Sequence, residues 1–192
     1  MTRRIVVGIS GASGAIFGIR ALEMLAATPD VETHLVISAG ARTTIAMETD
    51  LGADDVAGLA DVVHKDSNLA ASISSGSFRI DGMLVAPCSI KTLSAIATSY
   101  ADNLLARAAD VTLKERRPLV LLFRETPLHL GQIRLMAQAT EAGAIVMPPV
   151  PAFYHRPRTI DDIVDQTVGR ALDQLGFEAA EVSRWSGRPP KL

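Results

Sequence analysis

The sequence has few of the residues that mark a disulfide scaffold, a metal site or a membrane protein. Its single cysteine, Cys88, excludes an internal disulfide and a zinc site built from cysteines. The four histidines have no metal-ligand spacing, and we expect no bound metal. No apolar run approaches the ~20 residues of a membrane span, and Gly and Ser interrupt the N-terminal run too early for a convincing signal peptide. We therefore expect a cytoplasmic protein.

Charge of either sign is also modest. The formal net charge is −2, which predicts no bulk attraction to nucleic acid. The cations are uneven in kind, with 15 Arg and only 4 Lys. Arginine suits bidentate binding of phosphate or carboxylate, which favours small anionic ligands, although a GC-rich genome would give the same bias. A chain of 192 residues suits one domain, 1–192, and we interpret 183–192 as a C-terminal tail.

Five short apolar runs alternate with helical patterns. The predicted strands are 5–9, 34–38, 83–86, 119–123 and 144–147. The predicted helices are 15–27, 41–49, 91–100, 103–115, 130–142 and 160 to about 175. The runs are near-continuous rather than alternating, which is typical of strands covered on both faces. The pattern predicts a parallel α/β sheet with right-handed crossovers.

Two segments do not fit that alternation. The insert 50–79 is predicted to be irregular, with a mobile loop at 72–78. The proline-rich segment 147–159 is predicted to be an extended arm. In a parallel α/β sheet, ligands bind beyond the carboxyl ends of the strands, so the residues after each predicted strand are candidates for the site. Hydroxyls and small residues follow the first three strands, and cations and a phenol follow the last two, a layout that suits a ligand with phosphate.

The turn after the first strand, "GISGASG", is rich in glycine. Gly8, Gly11 and Gly14 are spaced by three, which matches neither a dinucleotide fingerprint nor a nucleophile elbow. The first N–H groups of the following helix, with Ser10 and Ser13, are suited to hold a phosphate. The alternative is a tight strand-to-helix turn with serine as helix cap.

Four other features have two interpretations each. Cys88 is more typical of a buried small side chain than of a nucleophile. Ser89 is suited to cap a helix and to bind a ligand. "DDIVD", 161–165, resembles a magnesium-diphosphate motif, but Thr159 before it predicts a helix capping box instead. Glu48 ends a predicted helix, where a carboxylate is unfavourable, which hints at a functional role but also fits a surface residue.

Several of these stretches together are informative. "VVGISGASGAIFGIR", "METD", "PCSIKTLSAIA", "LKERRPLVLLFRE" and "MPPVPAFYHRP" resemble the flavin prenyltransferases of the UbiX type, over nearly the whole chain. The resemblance implies a flavodoxin-like, Rossmann-like α/β fold with helices on both faces of the sheet. It also implies an enzyme that transfers a dimethylallyl group from dimethylallyl phosphate to N5 and C6 of reduced FMN. The expected product, prenylated FMN, serves a decarboxylase of the UbiD type, for example in ubiquinone biosynthesis.

The resemblance assigns roles to individual residues. The implied flavin contacts are Gly11, Ala12, Ser13, Ser38, Ser89, Ile90, Lys91, Thr92 and Arg124. The implied contacts to the substrate phosphate are Lys114, Arg124, Tyr154 and Arg170, and Arg107 is a further basic position near the site. Glu48, Ser13 and Tyr154 are implied to act in catalysis, with Glu48 assisting proton transfer and Ser13 binding and orienting the flavin. The resemblance further implies metal-independent chemistry and a homo-oligomer, a dodecamer, with sites at subunit interfaces.

Two alternatives stay open at this point. The first is an FMN-dependent decarboxylase of the cysteine-decarboxylase type, but Lys91 stands where those enzymes have asparagine. The second is a flavin carrier without chemistry. Four cationic or phenolic residues exceed what the single phosphate of FMN requires, which argues against a carrier. The sequence does not decide between a monophosphate and a diphosphate donor.

Overall fold

A sheet of six parallel strands lies at the centre of the structure, a computed structural model that describes residues 2–178, 182–185 and 187. The strands are β1 (Arg3–Ile9), β2 (Val31–Ile37), β3 (Val62–Lys65), β4 (Gly82–Cys88), β5 (Leu119–Phe123) and β6 (Ile145–Val146). Their order across the sheet is β3-β2-β1-β4-β5-β6. The first three strands extend to one side and the last three to the other, so the strand order reverses between β1 and β4.

Helices cover both faces of this sheet. They are α1 (Ala15–Ala26), α2 (Ala39–Glu48), α3 (Ala53–Ala57), α4 (Ile90–Ala97), α5 (Leu104–Lys114), α6 (Leu130–Glu141) and α7 (Ile160–Asp173). One hydrophobic core contains the buried faces of α1 and α7, and a second contains those of α4, α5 and α6. The predicted α/β architecture is confirmed.

The near-continuous apolar runs supply both cores. All seven residues of β4 are buried. Leu84 and Ala86 point into the core with α1, while Met83 and Val85 point into the core with α5. Successive side chains of a strand point to opposite faces, so an uninterrupted apolar run is needed when both faces are covered. Burial of each large aliphatic side chain contributes about 1.5–3 kcal/mol.

The insert 50–79 contains more regular structure than the sequence predicts. It forms α3, the edge strand β3 and a short 3-10 turn, Ser72–Ser74. The strand has only four residues, Val-Val-His-Lys, and alternates between half-buried and exposed positions. A short strand that ends in a lysine is typical of a sheet edge, where unpaired backbone groups would otherwise favour association with another strand.

The arm and the tail lie outside the sheet. Residues 147–159 contain neither helix nor strand, as predicted. Of the predicted tail, 183–185 and 187 are described, while 186 and 188–192 lie outside the described residues. Across the described part of the chain, no helix combines the length and the apolar character needed to cross a membrane.

Candidate active site

A cavity of about 310 Å³ lies at the carboxyl edge of the sheet, beside the point where the strand order reverses. Its lining residues are Gly11, Ser38, Ala39, Gly40, Asp66, Ser89, Ile90, Lys91, Thr92, Asp102, Asn103 and Leu105. They follow the ends of four different strands or begin α5. This volume lies at the lower end of the range for small-molecule sites, and the position is the one at which open α/β sheets bind ligands. We call it the carboxyl-edge cavity.

Three helices begin at this cavity, and each is capped by a polar side chain. Ser38 Oγ accepts from Ala41 N at 3.2 Å at the start of α2, and Ser89 Oγ accepts from Thr92 N at 3.3 Å at the start of α4. Asn103 caps α5 in the same way. The predicted capping role of Ser89 is confirmed. Helix N-termini carry partial positive charge, so their convergence favours an anion in the cavity.

Ser10, which was predicted to lie with Ser13 at a phosphate, is buried beneath the cavity. It is 1 % exposed. Its hydroxyl donates to Pro87 O at 2.8 Å and accepts from Ser89 N at 2.7 Å. Both functions of the hydroxyl are thus used to link the end of β1 to the end of β4, and the side chain is a structural link beneath the cavity.

The N-terminus of α1 is occupied by Glu48 rather than left for a ligand. The N–H groups of Gly14 and Ala15 donate to Glu48 Oε2 at 2.8 and 3.2 Å. Burial works to raise the pKa of Glu48, but hydrogen bonds from the α1 N-terminus and from Ser13 outweigh it, so the pKa lies below its ordinary value. The positive charge of Arg124 acts in the same direction. The misfit of Glu48 in its own helix α2 is thus explained, because it stabilises the start of α1.

The turns after β1 and after β2 contact each other through glycines in the wall of the cavity. A Cβ atom on Gly11 would lie 2.9 Å from the Cα and carbonyl carbon of Gly40. Both neighbours are backbone atoms, which cannot rotate away as a side chain can. The turn after β1 and the turn after β2 therefore approach each other closely because both lack a side chain at the contact.

A second cavity, of about 500 Å³, lies between the arm, α7 and the tail. Its lining residues are Met147, Val150, Ala152, Tyr154, Gln166, Thr167, Arg170, Ser183, Arg184 and Trp185. The predicted phosphate contacts Tyr154 and Arg170 both lie here. Asp173 binds Arg170 at 2.5 Å and Arg184 at 2.9 Å. The two guanidinium groups leave this wall cationic. We call it the arm cavity.

The loop 72–78, which was predicted to be mobile, is held by hydrogen bonds to α5 and to the residues directly after it. Arg107 Nε donates to Ser74 O at 3.2 Å. Arg117 donates to the carbonyl oxygens of Gly76 and Phe78, each at 3.1 Å. Lys114 forms an ion pair with its neighbour Glu115 beneath the same loop. Arg107 and Lys114 thus lie together with this loop, in a third place on the molecule.

The predicted site residues therefore fall into four groups. Six implied flavin contacts, Gly11, Ser38, Ser89, Ile90, Lys91 and Thr92, line the carboxyl-edge cavity. Ala12, Ser13, Glu48 and Arg124 are grouped at the turn after β1 and the end of β5. Tyr154 and Arg170 line the arm cavity, which shares no lining residue with the first. Arg107 and Lys114 belong to neither lining.

The direction of α5 explains why Lys114 is separate. The helix begins at the carboxyl-edge cavity and has 11 residues. At 1.5 Å per residue its last residue, Lys114, lies about 16 Å along the helix axis. Arg124, by contrast, follows β5 at the carboxyl edge. The two cations assigned to one phosphate are thus at opposite ends of the sheet within one chain.

Asp66 and Gln166 are among the polar cavity residues that the sequence did not indicate. Asp66 lines the carboxyl-edge cavity, and burial raises its pKa. Gln166 lines the arm cavity and is 3 % exposed. Asp66 lies in the insert that was predicted to be irregular. Gln166 lies in the amphipathic helix α7, where a polar residue is usually expected on the exposed face.

Two of the alternative interpretations are resolved by the structure. Cys88 is fully buried, and burial raises the pKa of its thiol, as expected for a small core side chain. Asp162 accepts from Thr159 N at 2.9 Å, and Thr159 Oγ1 accepts from Asp162 N at 3.1 Å. The capping box is confirmed. Within the described residues, no group of three His, Cys, Asp or Glu side chains is placed to hold a metal ion.

Comparison with known proteins agrees with this geometry. The family model described as Flavoprotein matches residues 1–172. Flavin prenyltransferase UbiX of Escherichia coli K12 is 60 % identical over 187 residues, which cover 96 % of this chain and 99 % of the relative. Flavin prenyltransferase UbiX of Thauera aromatica is 61 % identical over 184 residues, covering 96 % and 94 %. An FMN-dependent cysteine decarboxylase, TvaF, shares 13 % identity at a TM-score of 0.66, which shows the fold alone.

Solved structures resemble the whole fold. The crystal structure of AnUbiX (PadA1) in complex with FMN and dimethylallyl pyrophosphate has a TM-score of 0.96 and 51 % identity, and the match covers 98 % of this chain and 100 % of that one. A dodecameric FMN-dependent UbiX-like decarboxylase from Escherichia coli O157:H7 has a TM-score of 0.94 and 52 % identity, covering 96 % and 100 %. The flavodoxin-like architecture is confirmed. The chain belongs to the Flavoprotein family and, within it, to the flavin prenyltransferases of the UbiX type.

Proposed function

We propose that this flavin prenyltransferase transfers a dimethylallyl group from dimethylallyl phosphate to N5 and C6 of reduced FMN. The observation that carries the proposal is the presence of two separate places suited to anions. The carboxyl-edge cavity has three helix N-termini, and the arm cavity has Tyr154, Arg170 and Arg184. A flavin carrier has one phosphate to hold and needs one such place, whereas a prenyl transfer between two phosphorylated substrates needs two.

The carboxyl-edge cavity fits the phosphate-bearing end of FMN. Six of its twelve lining residues are Gly, Ala, Ser or Thr, and the close contact of Gly11 with Gly40 keeps bulk away from it. Ser38 and Ser89 are held in place by the helices that they cap. We assign to these residues, with Ile90, Lys91 and Thr92, the binding of the flavin. When bound, reduced FMN supplies the nucleophilic atoms N5 and C6 for alkylation.

Glu48 is suited to accept a proton. Its lowered pKa keeps it ionised near neutral pH, and its Oε2 atom is anchored on the N–H groups of Gly14 and Ala15. Bond formation at N5 and at C6 would each release a proton, and the second bond also consumes the dimethylallyl double bond, which takes up a proton. A carboxylate held at the start of α1 would serve to relay protons between these positions and the leaving phosphate. Ser13, which hydrogen-bonds the same carboxylate, orients it.

The arm cavity is suited to the leaving phosphate. When the allylic carbon–oxygen bond breaks, the electron pair stays on the phosphate oxygen and the negative charge of the phosphate rises. The Tyr154 hydroxyl and the Arg170 guanidinium border the cavity and stabilise that charge. Cations at a monophosphate perform the same electrostatic task as a metal ion, so we propose a reaction without metal.

We further propose that one site is built from more than one copy of the chain. Lys114 and Arg124 are at opposite ends of the sheet, and Tyr154 lines a separate cavity, so one chain does not bring all the assigned groups to one phosphate. Association of copies with cyclic or dihedral symmetry juxtaposes different surfaces. A relative that is 52 % identical is dodecameric, which supports a dodecamer here.

The proposal extends to the context of the reaction. We assign prenylated FMN to a decarboxylase of the UbiD type as recipient, as the family relationship supports. One cysteine in 192 residues is typical of proteins of reducing compartments, which supports a cytoplasmic location. We treat residues 1–192 as a single flavoprotein domain.

The direct test is anaerobic incubation of the purified protein with reduced FMN and dimethylallyl phosphate, followed by mass spectrometry of the flavin. We expect a gain of one prenyl unit, and a parallel reaction with dimethylallyl diphosphate decides the donor. A flavin of unchanged mass with both donors would contradict the proposal.

Mixed oligomers test the sharing of sites. Lys114→Ala and Tyr154→Phe are each expected to lower activity strongly. If Lys114 of one copy serves the Tyr154 of another, a one-to-one mixture restores intact sites at about a quarter of the wild-type number. Activity equal to the mean of the two variants would show that both residues act within one copy.

A further inference from the structure

Gln166 joins the arm to the tail through a single buried side chain. Its Nε2 atom donates to the Tyr154 hydroxyl at 2.9 Å and to Ser183 O at 3.1 Å. Its Oε1 atom accepts from Ser183 N at 2.9 Å. The side chain is 3 % exposed, and both amide hydrogens and the carbonyl oxygen are used. Two segments without regular structure are thereby fixed to one position of α7.

The Tyr154 hydroxyl can change its hydrogen-bond acceptor by moving its hydrogen alone. The hydroxyl donates its single hydrogen to Ser183 O at 3.0 Å and accepts from Gln166. It cannot donate to a phosphate while that bond persists. If the hydroxyl hydrogen turns away, Ser183 O keeps its bond from Gln166, so this carbonyl does not lose its last donor. Rotation of the hydroxyl hydrogen about the Cζ–Oη bond is therefore enough to make Tyr154 a donor to a ligand.

A second anchor on the same helix holds the next residue of the tail. Asp173, two turns after Gln166, binds Arg184 at 2.9 and 3.1 Å and also binds Arg170. The Asp173 side chain is only 10 % exposed. Trp185 then lies edge-on to the Tyr154 ring, with the ring centroids 5.9 Å apart. The tail, Tyr154 and the cationic wall of the arm cavity thus form one connected unit.

We propose that Gln166 is a positioning residue for prenyl transfer. It holds the Tyr154 oxygen in place and donates to it, while the hydroxyl hydrogen passes from Ser183 O to the phosphate of the allylic substrate. Donation by the amide into the hydroxyl oxygen also strengthens the bond that the hydroxyl donates, because hydrogen bonds in a chain polarise one another. The inference rests on the proposed function, because it assigns the arm cavity to the allylic phosphate.

Two substitutions separate the hydrogen-bonding role of Gln166 from its volume. Gln166→Leu keeps the volume and removes all three bonds. Gln166→Glu keeps the shape, but the carboxylate removes the donors to Tyr154 and Ser183 O, captures the hydroxyl hydrogen and repels phosphate. The matched control is Gln132→Leu, which removes another buried glutamine that caps α6.

The readouts are phosphate binding and kinetics. The sequence has one tryptophan, Trp185, so its fluorescence reports on the tail at the Tyr154 ring. We expect inorganic phosphate to change this fluorescence in the wild type. Gln166→Leu should weaken phosphate binding about tenfold. Gln166→Glu should weaken it more, with a matching rise in KM for dimethylallyl phosphate. FMN affinity should be unchanged, because the flavin residues line the other cavity.

The outcomes are distinguishable. Equal phosphate response and equal KM in the wild type and both Gln166 variants would overturn the inference. A parallel loss of FMN affinity or of thermal stability beyond that of Gln132→Leu would also overturn it, because the role would then be structural. If phosphate binding depends on Gln166 but the wild type prenylates no flavin, the proposed function fails and the coupling of Gln166 to phosphate stands.

Discussion

The carboxyl-edge cavity and the arm cavity are built in different ways. The first is formed by residues at the ends of strands and the starts of helices, so its shape follows from the sheet itself. The second is formed by long side chains of one helix and by two segments that contain neither helix nor strand. Its shape depends on a few hydrogen bonds and ion pairs. One cavity is thus a property of the fold, and the other is a property of particular side chains.

The largest effect is expected where the carboxyl-edge cavity depends on the backbone. Gly11→Ala places a Cβ 2.9 Å from backbone atoms of Gly40, and the two turns must separate. Strain of this kind costs up to ~3 kcal/mol, so we expect FMN affinity to fall by up to about 100-fold. Equilibrium titration with FMN measures it. Gly58→Ala, where the nearest contact is 3.3 Å and the backbone is helical, is the control. Unchanged FMN affinity in Gly11→Ala would show that the carboxyl-edge cavity does not depend on this backbone contact.

The arm cavity should respond to the loss of one oxygen atom. Tyr154→Phe removes the hydroxyl and leaves the ring against Trp185. A hydrogen bond to a charged group contributes about 1.5–3 kcal/mol, so kcat/KM for dimethylallyl phosphate should fall about 20-fold. FMN affinity should stay within about twofold, since the residues of the other cavity are untouched. Tyr100→Phe is the matched control, because Tyr100 is the other tyrosine and is 66 % exposed. Equal losses in both variants would show that Tyr154 has no special role.

A smaller effect is expected in the pH dependence of stability. The pKa of Glu48 is lower in the folded protein than its ordinary value. The carboxylate therefore stabilises the fold above its unfolded-state pKa, near 4.3–4.5, and this contribution is lost as the pH falls through the folded-state value. Thermal melting from pH 7 to pH 3 should show a steeper decline for the wild type than for Glu48→Gln. Parallel curves would mean that Glu48 does not stabilise the start of α1.

The smallest effect is expected at Cys88. Its thiol is fully buried and its pKa is raised, so it is neither a nucleophile nor accessible to reagents. Cys88→Ala should lower the free energy of unfolding by about 1 kcal/mol through the small cavity it leaves. Prenylation activity should be unchanged, and an alkylating reagent should modify Cys88 only after unfolding. Modification of the native protein with loss of activity would contradict this.

The difference between the two cavities also explains which features could be predicted from the sequence. Strand positions and helix caps are local, so the apolar run of β5 and the Thr159–Asp162 capping box were predicted correctly. The edge strand β3 was missed because four half-polar residues have no periodic signal. The grouping of Ser38 with Ser89 follows from the rule that parallel strands end at one edge.

The arm cavity does not follow from such a rule. No local pattern says that Tyr154, in an irregular segment, meets Gln166 in the middle of α7. Their contact depends on how the arm packs after β6. The separation of Lys114 from Arg124 was also not read from the sequence, although it follows from the opposite directions of α5 and β5. Local chemistry was thus predictable, whereas long-range contacts of irregular segments were not.

The contact of Gly11 with Gly40 has a consequence for how this sequence can drift. Most substitutions in a core can be compensated by a smaller residue at the neighbouring position. Gly11 and Gly40 both lack a side chain already, so a clash created at one of them cannot be relieved by a smaller residue at the other. In a saturation mutagenesis experiment, both positions should be intolerant, and Gly11 more so, because its added Cβ lies at 2.9 Å and that of Gly40 at 3.2 Å. A substitution at either glycine is therefore not expected to be rescued by a substitution at the other.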